Sequence, residues 1–510
     1  MDAELIANDA RVLGIMNRKI LTRYLGDATT SPALHELALQ TQAALTKKAW
    51  AEGYRLVSRL LLQHRGIEVS PATELATVLD FRLDHRLVGP GDPLSLSLEP
   101  VFPDQIALDK ACSATFTLRD QAGQFEESLP GLAVRSARSY RIPIDTSALT
   151  TGRHVITYRL HSPDGRPLVE CRRDFVIDPD ARTTHTKLCE RLERQWTSRP
   201  APTSRETAAL ETIEFVLQQM QLALNSYTAA TNFSSLPMTG KLRGVDLARY
   251  DNDPFYSQRD LPLTETLLQD LEAGVDPFAQ RQGDIRLAFR SEQDGSLQPC
   301  RLFLPEGWQN LGRLPVVIAL HGATGDENTY FERYSDGRSG QSVFKQLGQQ
   351  YGYLLAAPNG RGPFGNFVDA SERDVLEVLQ FVKQIWPVDD RLVFLTGHSM
   401  GGYGTWSVGF RHPEQFAALA PVAGRPADTL ADLLAKSPDK PVLFCVGMND
   451  VIVTPIKTGE WAGIARRHLQ NFEYREYPKD DHFAIGLTSM RGIFEFFEHV
   501  RKQGPPESKG

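Results

Sequence analysis

The sequence predicts an α/β protein in several parts. Its C-terminal part reads as a doubly wound, mostly parallel sheet, preceded by a helical segment and a β-sandwich. Three observations carry this prediction. Apolar residues recur three and four apart near the N-terminus, polar and apolar residues alternate between about 79 and 177, and from about 283 short apolar runs alternate with helical segments.

The chain has 510 residues, which predicts about two to four domains. A hydrophobic content of 41% and a charged content of 23% are ordinary globular values, so a disordered or fibrous chain is excluded. A net charge of -7 is mild and no basic block or stripe stands out, so no nucleic-acid partner is expected.

The helical segment covers residues 1–78, where ALHELALQTQAALTKKAW and AEGYRLVSRLLLQHR place charges around an apolar stripe. The opening MDAELIANDARVLG has early acids and no apolar run fit for a signal h-region or a spanning helix. As written, the chain is expected in the cytoplasm, although an exported form with its leader removed would read the same. Residues 79–178 then carry short strands such as PLSLSLEPV, SATFTLRD and RHVITYRLHS between Gly, Pro and Asp turns, which predicts a sandwich of immunoglobulin type. Cys112 and Cys171 lie in this stretch and leave a disulfide between them open; the odd total, with Cys189, Cys300 and Cys445, leaves at least one free thiol. No CxxC pair or Cys/His cluster of zinc-binding spacing occurs.

Residues 179–282 read as a helical and irregular connector; Asn232-Phe233-Ser234 within it has the form of a glycosylation triplet but no exported context. No repeat of 20 to 50 residues is visible, which argues against a propeller. Residues 283–510 form the α/β part. DIRLAFRSE, PCRLFLPEG, LPVVIALHG, YLLAAPNG, LVFLTGHS, FAALAPVAG, PVLFCVGMND and FEYREYP read as its strands, antiparallel at one edge and parallel beyond it.

Chemistry concentrates at Gly397-His398-Ser399-Met400-Gly401, between the apolar strand LVFLT and the helix-like GYGTWSVGFRH. A serine on such a turn takes strained angles, small neighbours let strand and helix close up, and the hydroxyl stands above the sheet. Ser399 is the candidate nucleophile, and the Met400 amide at the helix start faces the position of a developing oxyanion. The second oxyanion donor is expected after VVIAL, in His321-Gly322-Ala323-Thr324-Gly325, with Ala323 preferred over its neighbour Thr324. The acid and base follow in that order: Asp450 at the end of PVLFCVGMND, and His482 after FEYREYPKDD. Asp480 and Asp481 are alternatives to Asp450, but they lie too near His482 in sequence to orient it easily. His321, His398, His412 and His468 compete less well as bases, since they fall in the oxyanion loop, inside the elbow, at a helix end and on a basic helix. Tyr403, Trp406, Phe364 and Thr324 lie in or beside these segments as candidate substrate contacts.

On LHGATGDENTYF, YGYLLAAPNGRG and LTGHSMGGYGTW, residues 283–503 resemble the α/β-hydrolase superfamily, near polyhydroxyalkanoate depolymerase-like and feruloyl-esterase-like enzymes and the catalytic domains of prolyl oligopeptidases. The sandwich is similar to the immunoglobulin-like domain that precedes the hydrolase in some bacterial esterases. The resemblance implies an acyl-serine mechanism that needs no metal or organic cofactor. The expected function is a serine carboxylic-ester hydrolase acting on short-chain, aromatic (feruloyl-like) or polymeric esters. The alternatives are a peptidase of prolyl oligopeptidase type, which the missing propeller repeat disfavours, and a silent binding protein, which the complete set Ser399, Asp450 and His482 disfavours.

Overall fold

A computed structural model of the chain describes residues 21, 24–25, 31–64, 66–100, 106–225, 256–323, 325–335, 341–362 and 365–504. Two compact units make up the chain: Met1–Glu190 with Val216–Arg259, and Arg191–Phe215 with Asp260–Gly510.

The first unit starts with helices α1 (Pro32–Thr46), α2 (Trp50–His64) and α3 (Pro71–Val78). Leu60 of α2 packs with Ala38 of α1 and with Leu21 and Tyr24. Helix α3 begins at a capping box: the Ser70 hydroxyl accepts the Thr73 N–H at 3.3 Å and Thr73 Oγ1 accepts the Ser70 N–H at 2.8 Å, which satisfies two otherwise orphaned amides. Eight strands follow: β1 (Leu79–Leu83), β2 (Leu87–Val88), β3 (Leu94–Pro100), β4 (Ala107–Asp120), β5 (Glu126–Ser136), β6 (Tyr140–Ile144), β7 (Gly152–His161) and β8 (Pro167–Ile177). They form one sheet ordered β1-β3-β6 and another ordered β2-β8-β7-β4-β5. Alternation explains the packing: Phe81 of β1 meets Tyr158 of β7 and Phe116 of β4 at 5.3 and 6.2 Å between ring centroids, so apolar inner faces oppose each other. Buried Arg173 on β8 lies 3.7 Å from buried Asp80 on β1, an ion pair between the two sheets. All five cysteines are free, so no bridge joins Cys112 to Cys171. Helices α4 (Ala181–Ser198) and α5 (Ser204–Asn225) come next; the aperiodic stretch from 231 to 255, with the Asn232 triplet, lies outside the described residues.

The second unit holds α6 (Tyr256–Glu272) from Asp260 onward and an eight-stranded sheet. Its strands are β9 (Gly283–Arg290), β10 (Leu297–Leu304), β11 (Leu314–Leu320), β12 (Leu354–Pro358), β13 (Val388–His398), β14 (Ala418–Val422), β15 (Val442–Gly447) and β16 (Phe472–Tyr477). The order is β16-β15-β14-β13-β11-β12-β10-β9, antiparallel at β9-β10-β12 and parallel from β12 to β16. Each segment read as a strand in this part is one, and the antiparallel edge lies where the sequence places it. Continuous apolar runs cover both faces because helices pack on both. On one face Val317, Phe394 and Leu443 pack with Phe344 of α7 (Val343–Tyr351) and with Phe494 and Phe497 of α11 (Met490–Gln503). On the other, α8 (Ala370–Ile385) sets Phe381 against Phe289 of β9, while α9 (Met400–Arg411) and α10 (Pro455–His468) set Trp406 and Trp461 near Phe444 of β15. Among the described residues no helix is long and apolar enough to cross a membrane.

Candidate active site

Strand β13, central in the sheet, ends at His398, and α9 starts at Met400. Ser399 between them has φ 60° and ψ −114°, a conformation that costs an ordinary L-residue energy and that the surrounding contacts must hold. Glycines make the crossing possible: a Cβ on Gly401 would lie 1.9 Å from the Leu320 carbonyl oxygen, and one on Gly397 2.4 Å from the Gly401 oxygen. These are backbone contacts that cannot yield by rotating a side chain.

His482 Nε2 lies 2.7 Å from Ser399 Oγ, and His482 Nδ1 lies 2.7 Å from Asp450 Oδ2. Asp450, in the loop after β15, is also held by the main chain, since its Oδ1 accepts the N–H groups of Ile452 and Val453 at 2.8 Å each. Two main-chain amides and the His482 ring thus surround this buried carboxyl group and meet both of its oxygens. The turn after β16 presents His482, and Asp481 fixes that turn by accepting the N–H groups of Phe483 and Ala484 at 3.0 Å each. Asp480 accepts the Thr488 hydroxyl. Both rival aspartates are thus engaged elsewhere, and the carboxylate that meets the imidazole of His482 is that of Asp450.

The loop after β11 meets the elbow: a Cβ on Gly322 would sit 3.5 Å from Ser399 Cβ and 3.4 Å from the His398 oxygen. Half-buried Ala323 follows it, and Met400 opens α9, whose N-terminal end carries the positive pole of the helix. Two backbone segments with N–H groups therefore flank the serine. His321 stays local: its ring nitrogens lie 2.8 Å from the Gly322 oxygen and 2.9 Å from the Asn359 oxygen, and burial pushes its pKa below the usual imidazole range. His412 pairs with Glu372 at 2.8 Å and His468 ends α10.

Of the four candidate substrate contacts, Thr324 and Phe364 lie outside the described residues, and Tyr403 is half-buried one turn beyond Ser399. Trp406 requires a correction. It is fully buried, stacked on Phe410 and edge-on to Phe444 and Trp461, because its position on α9 turns it toward the sheet and α10 instead of the elbow.

Two features escaped the reading of the sequence. A buried ion network holds the segment after the oxyanion loop: Arg286 on β9 donates to Glu327 at 2.8 Å and to Asp260 of α6 at 3.1 Å, while Arg301 on β10 donates to Asn328 at 2.8 Å. Arginines inside the otherwise apolar runs DIRLAFRSE and PCRLFLPEG were its signal. The second is the stretch after β12, where Arg361, Asn366, Phe367 and Asp369 all have φ between 50° and 60°. Buried Asp374 of α8 accepts the Gly360 N–H there at 2.8 Å, and burial pushes its carboxyl up to about 7.

Residues 295–492 match the model of the family described as "Putative esterase". Among solved structures, the chain is similar to the fluorophosphonate-binding serine hydrolase FphF of Staphylococcus aureus, at 21% identity over 42% of this chain and 98% of that one, with a TM-score of 0.37. It is similar to a CE1 ferulic acid esterase of Anaeromyces mucronatus, at 17% identity over 42% of this chain and 90% of that one, TM-score 0.36. A thermostable esterase aligns over 82% of this chain and 98% of its own, at 14% identity and a TM-score of 0.37.

Proposed function

We propose that this serine esterase of the α/β-hydrolase type works through an acyl-enzyme on Ser399 and takes small carboxylic esters, short-chain or aromatic, in preference to peptide amides. The unbroken chain of 2.7 Å contacts from Ser399 Oγ through His482 to Asp450 supports this reading above all. His482 Nε2 takes the hydroxyl proton as Ser399 Oγ attacks the ester carbonyl carbon. The carbonyl oxygen becomes an oxyanion beside the amides of Met400 and Ala323. Collapse of the intermediate breaks the bond to the alcohol oxygen, which leaves with the proton from His482. Water then gives a proton to the same nitrogen and attacks the acyl carbon; the bond from that carbon to Ser399 Oγ breaks, Oγ takes the proton back from His482, and the acid leaves. Asp450 holds the Nδ1–H tautomer throughout, so that Nε2 presents a lone pair to the serine.

An ester oxygen is a good enough leaving group for this apparatus alone, whereas an amide nitrogen departs only once His482 has protonated it, which requires the substrate to be clamped in place. The described residues of the first unit form two packed sheets and no radial set of blades that would enclose a peptide. The order β1-β3-β6 opposite β2-β8-β7-β4-β5 supports an immunoglobulin-like reading of that sandwich. Comparing kcat/KM for p-nitrophenyl butyrate, methyl ferulate and a proline-containing peptide anilide tests the proposal. The esters should lead by orders of magnitude, and preference for the anilide would overturn it.

A further inference from the structure

His398, which precedes the serine, is fully buried and faces the backbone of His482 across 84 residues of chain. Its Nε2 lies 2.6 Å from the His482 carbonyl oxygen. A carbonyl only accepts, so the proton of the ring belongs on Nε2. Nδ1 then offers a lone pair, and the Tyr334 hydroxyl lies 3.3 Å from it, placed to donate. Burial, with His482 and Arg333 nearby, holds the His398 pKa well below the usual imidazole range, in keeping with the neutral form. Tyr334 is itself buried, edge-on to the His398 ring, and packed so that a Cβ on Gly486 would lie 2.9 Å from its ring. The segment from Tyr330 to Tyr334 thus orients His398, and His398 ties the turn carrying His482 to the elbow carrying Ser399.

We propose that His398 is a positioning residue: through its Nε2–H to the His482 carbonyl, and with its tautomer fixed by Tyr334, it sets the distance between base and nucleophile. The inference rests on the acyl-serine reading of the same site. Asp450 orients the imidazole from one side, but a hydrogen bond at Nδ1 leaves the ring free to swing about that contact. The link at the main chain of the same residue removes this freedom. A serine and a base about 1 Å out of register lose on the order of a hundredfold in rate.

The test compares His398→Phe, which keeps a ring and removes the donor, with His398→Gln, whose side-chain amide reaches a similar point with an N–H. For p-nitrophenyl butyrate, His398→Phe should lower kcat about tenfold to a hundredfold with KM unchanged, and His398→Gln should recover most of the loss. The downfield proton resonance of the His482–Asp450 hydrogen bond should shift or broaden in His398→Phe and return in His398→Gln. Tyr334→Phe, which removes only a hydroxyl, should lower kcat severalfold and keeps the question open to measurement if His398→Phe does not fold. Wild-type kcat in His398→Phe, or equal loss in the Phe and Gln variants, would overturn the inference. Ser399→Ala separates the two claims: an inactive Ser399→Ala beside a fully active His398→Phe refutes the positioning role alone, whereas an active Ser399→Ala refutes the acyl-serine reading.

Discussion

Asp450→Asn should cripple catalysis while leaving the fold alone, and the structure sets the size of the effect. Asp450 Oδ1 accepts two main-chain N–H groups, from Ile452 and Val453, and Oδ2 faces His482 Nδ1. An asparagine has one acceptor to place. Kept toward the two amides, its oxygen leaves the NH2 group against His482, which must then carry its proton on Nε2 and can no longer take one from Ser399. The flipped amide restores the correct tautomer but sets two donors against two buried donors, at about 1–3 kcal/mol each. The inactive arrangement is therefore favoured by about 2–6 kcal/mol, so kcat/KM should fall between about thirtyfold and about twenty-thousandfold. Steady-state hydrolysis of p-nitrophenyl butyrate measures the rate, and urea denaturation measures stability, which should move by less than about 1 kcal/mol because both amides keep their acceptor. Activity within threefold of wild type, or a loss matched by unfolding, would refute the role of Asp450.

Gly401→Ala should abolish the folded elbow or destabilise it by about 3 kcal/mol or more, since the new Cβ falls 1.9 Å from a carbonyl oxygen; urea denaturation and soluble yield measure this. Trp406→Ala should cost about 3–5 kcal/mol of stability and leave KM for esters unchanged in the protein that remains folded, in contrast to a substrate contact, whose loss would raise KM at little cost in stability. Asp374 predicts a pH effect. Its folded pKa of about 7 lies above the ordinary carboxyl value of about 4, so the native state holds the extra proton between those values, and stability falls by up to about 1.4 kcal/mol per pH unit as pH rises through that window. Asp374→Asn, which keeps an acceptor for the Gly360 N–H, should flatten this slope in thermal melts from pH 4 to 8; an unchanged slope would place the proton elsewhere.

The strands of the second unit were legible because their runs are apolar on both faces and end at turn residues, as in LPVVIAL before His321 and LVFLT before Gly397. Ser399 was legible because a strained serine between strand and helix needs glycines beside it. Asp450 and His482 followed from their places after β15 and β16. The Trp406 assignment failed for a geometric reason: being near Ser399 in sequence does not fix which side of α9 faces the elbow, and a residue two turns along points at the sheet. His398 and Tyr334 lay beyond reach because their meaning arises only when residues 64 and 84 positions apart are folded together. The Arg286–Glu327–Asp260 network was hidden for the same reason, although charged residues within apolar strands marked its ends.

The most direct test of the acyl-serine chemistry is to trap the intermediate. Wild-type protein treated with a fluorophosphonate probe, or acid-quenched during turnover of p-nitrophenyl butyrate, is read by intact mass and peptide mapping. One adduct per chain on Ser399, absent from Ser399→Ala and slow to form in Asp450→Asn, is the predicted result; an adduct on another residue, or undiminished turnover by folded Ser399→Ala, would contradict it.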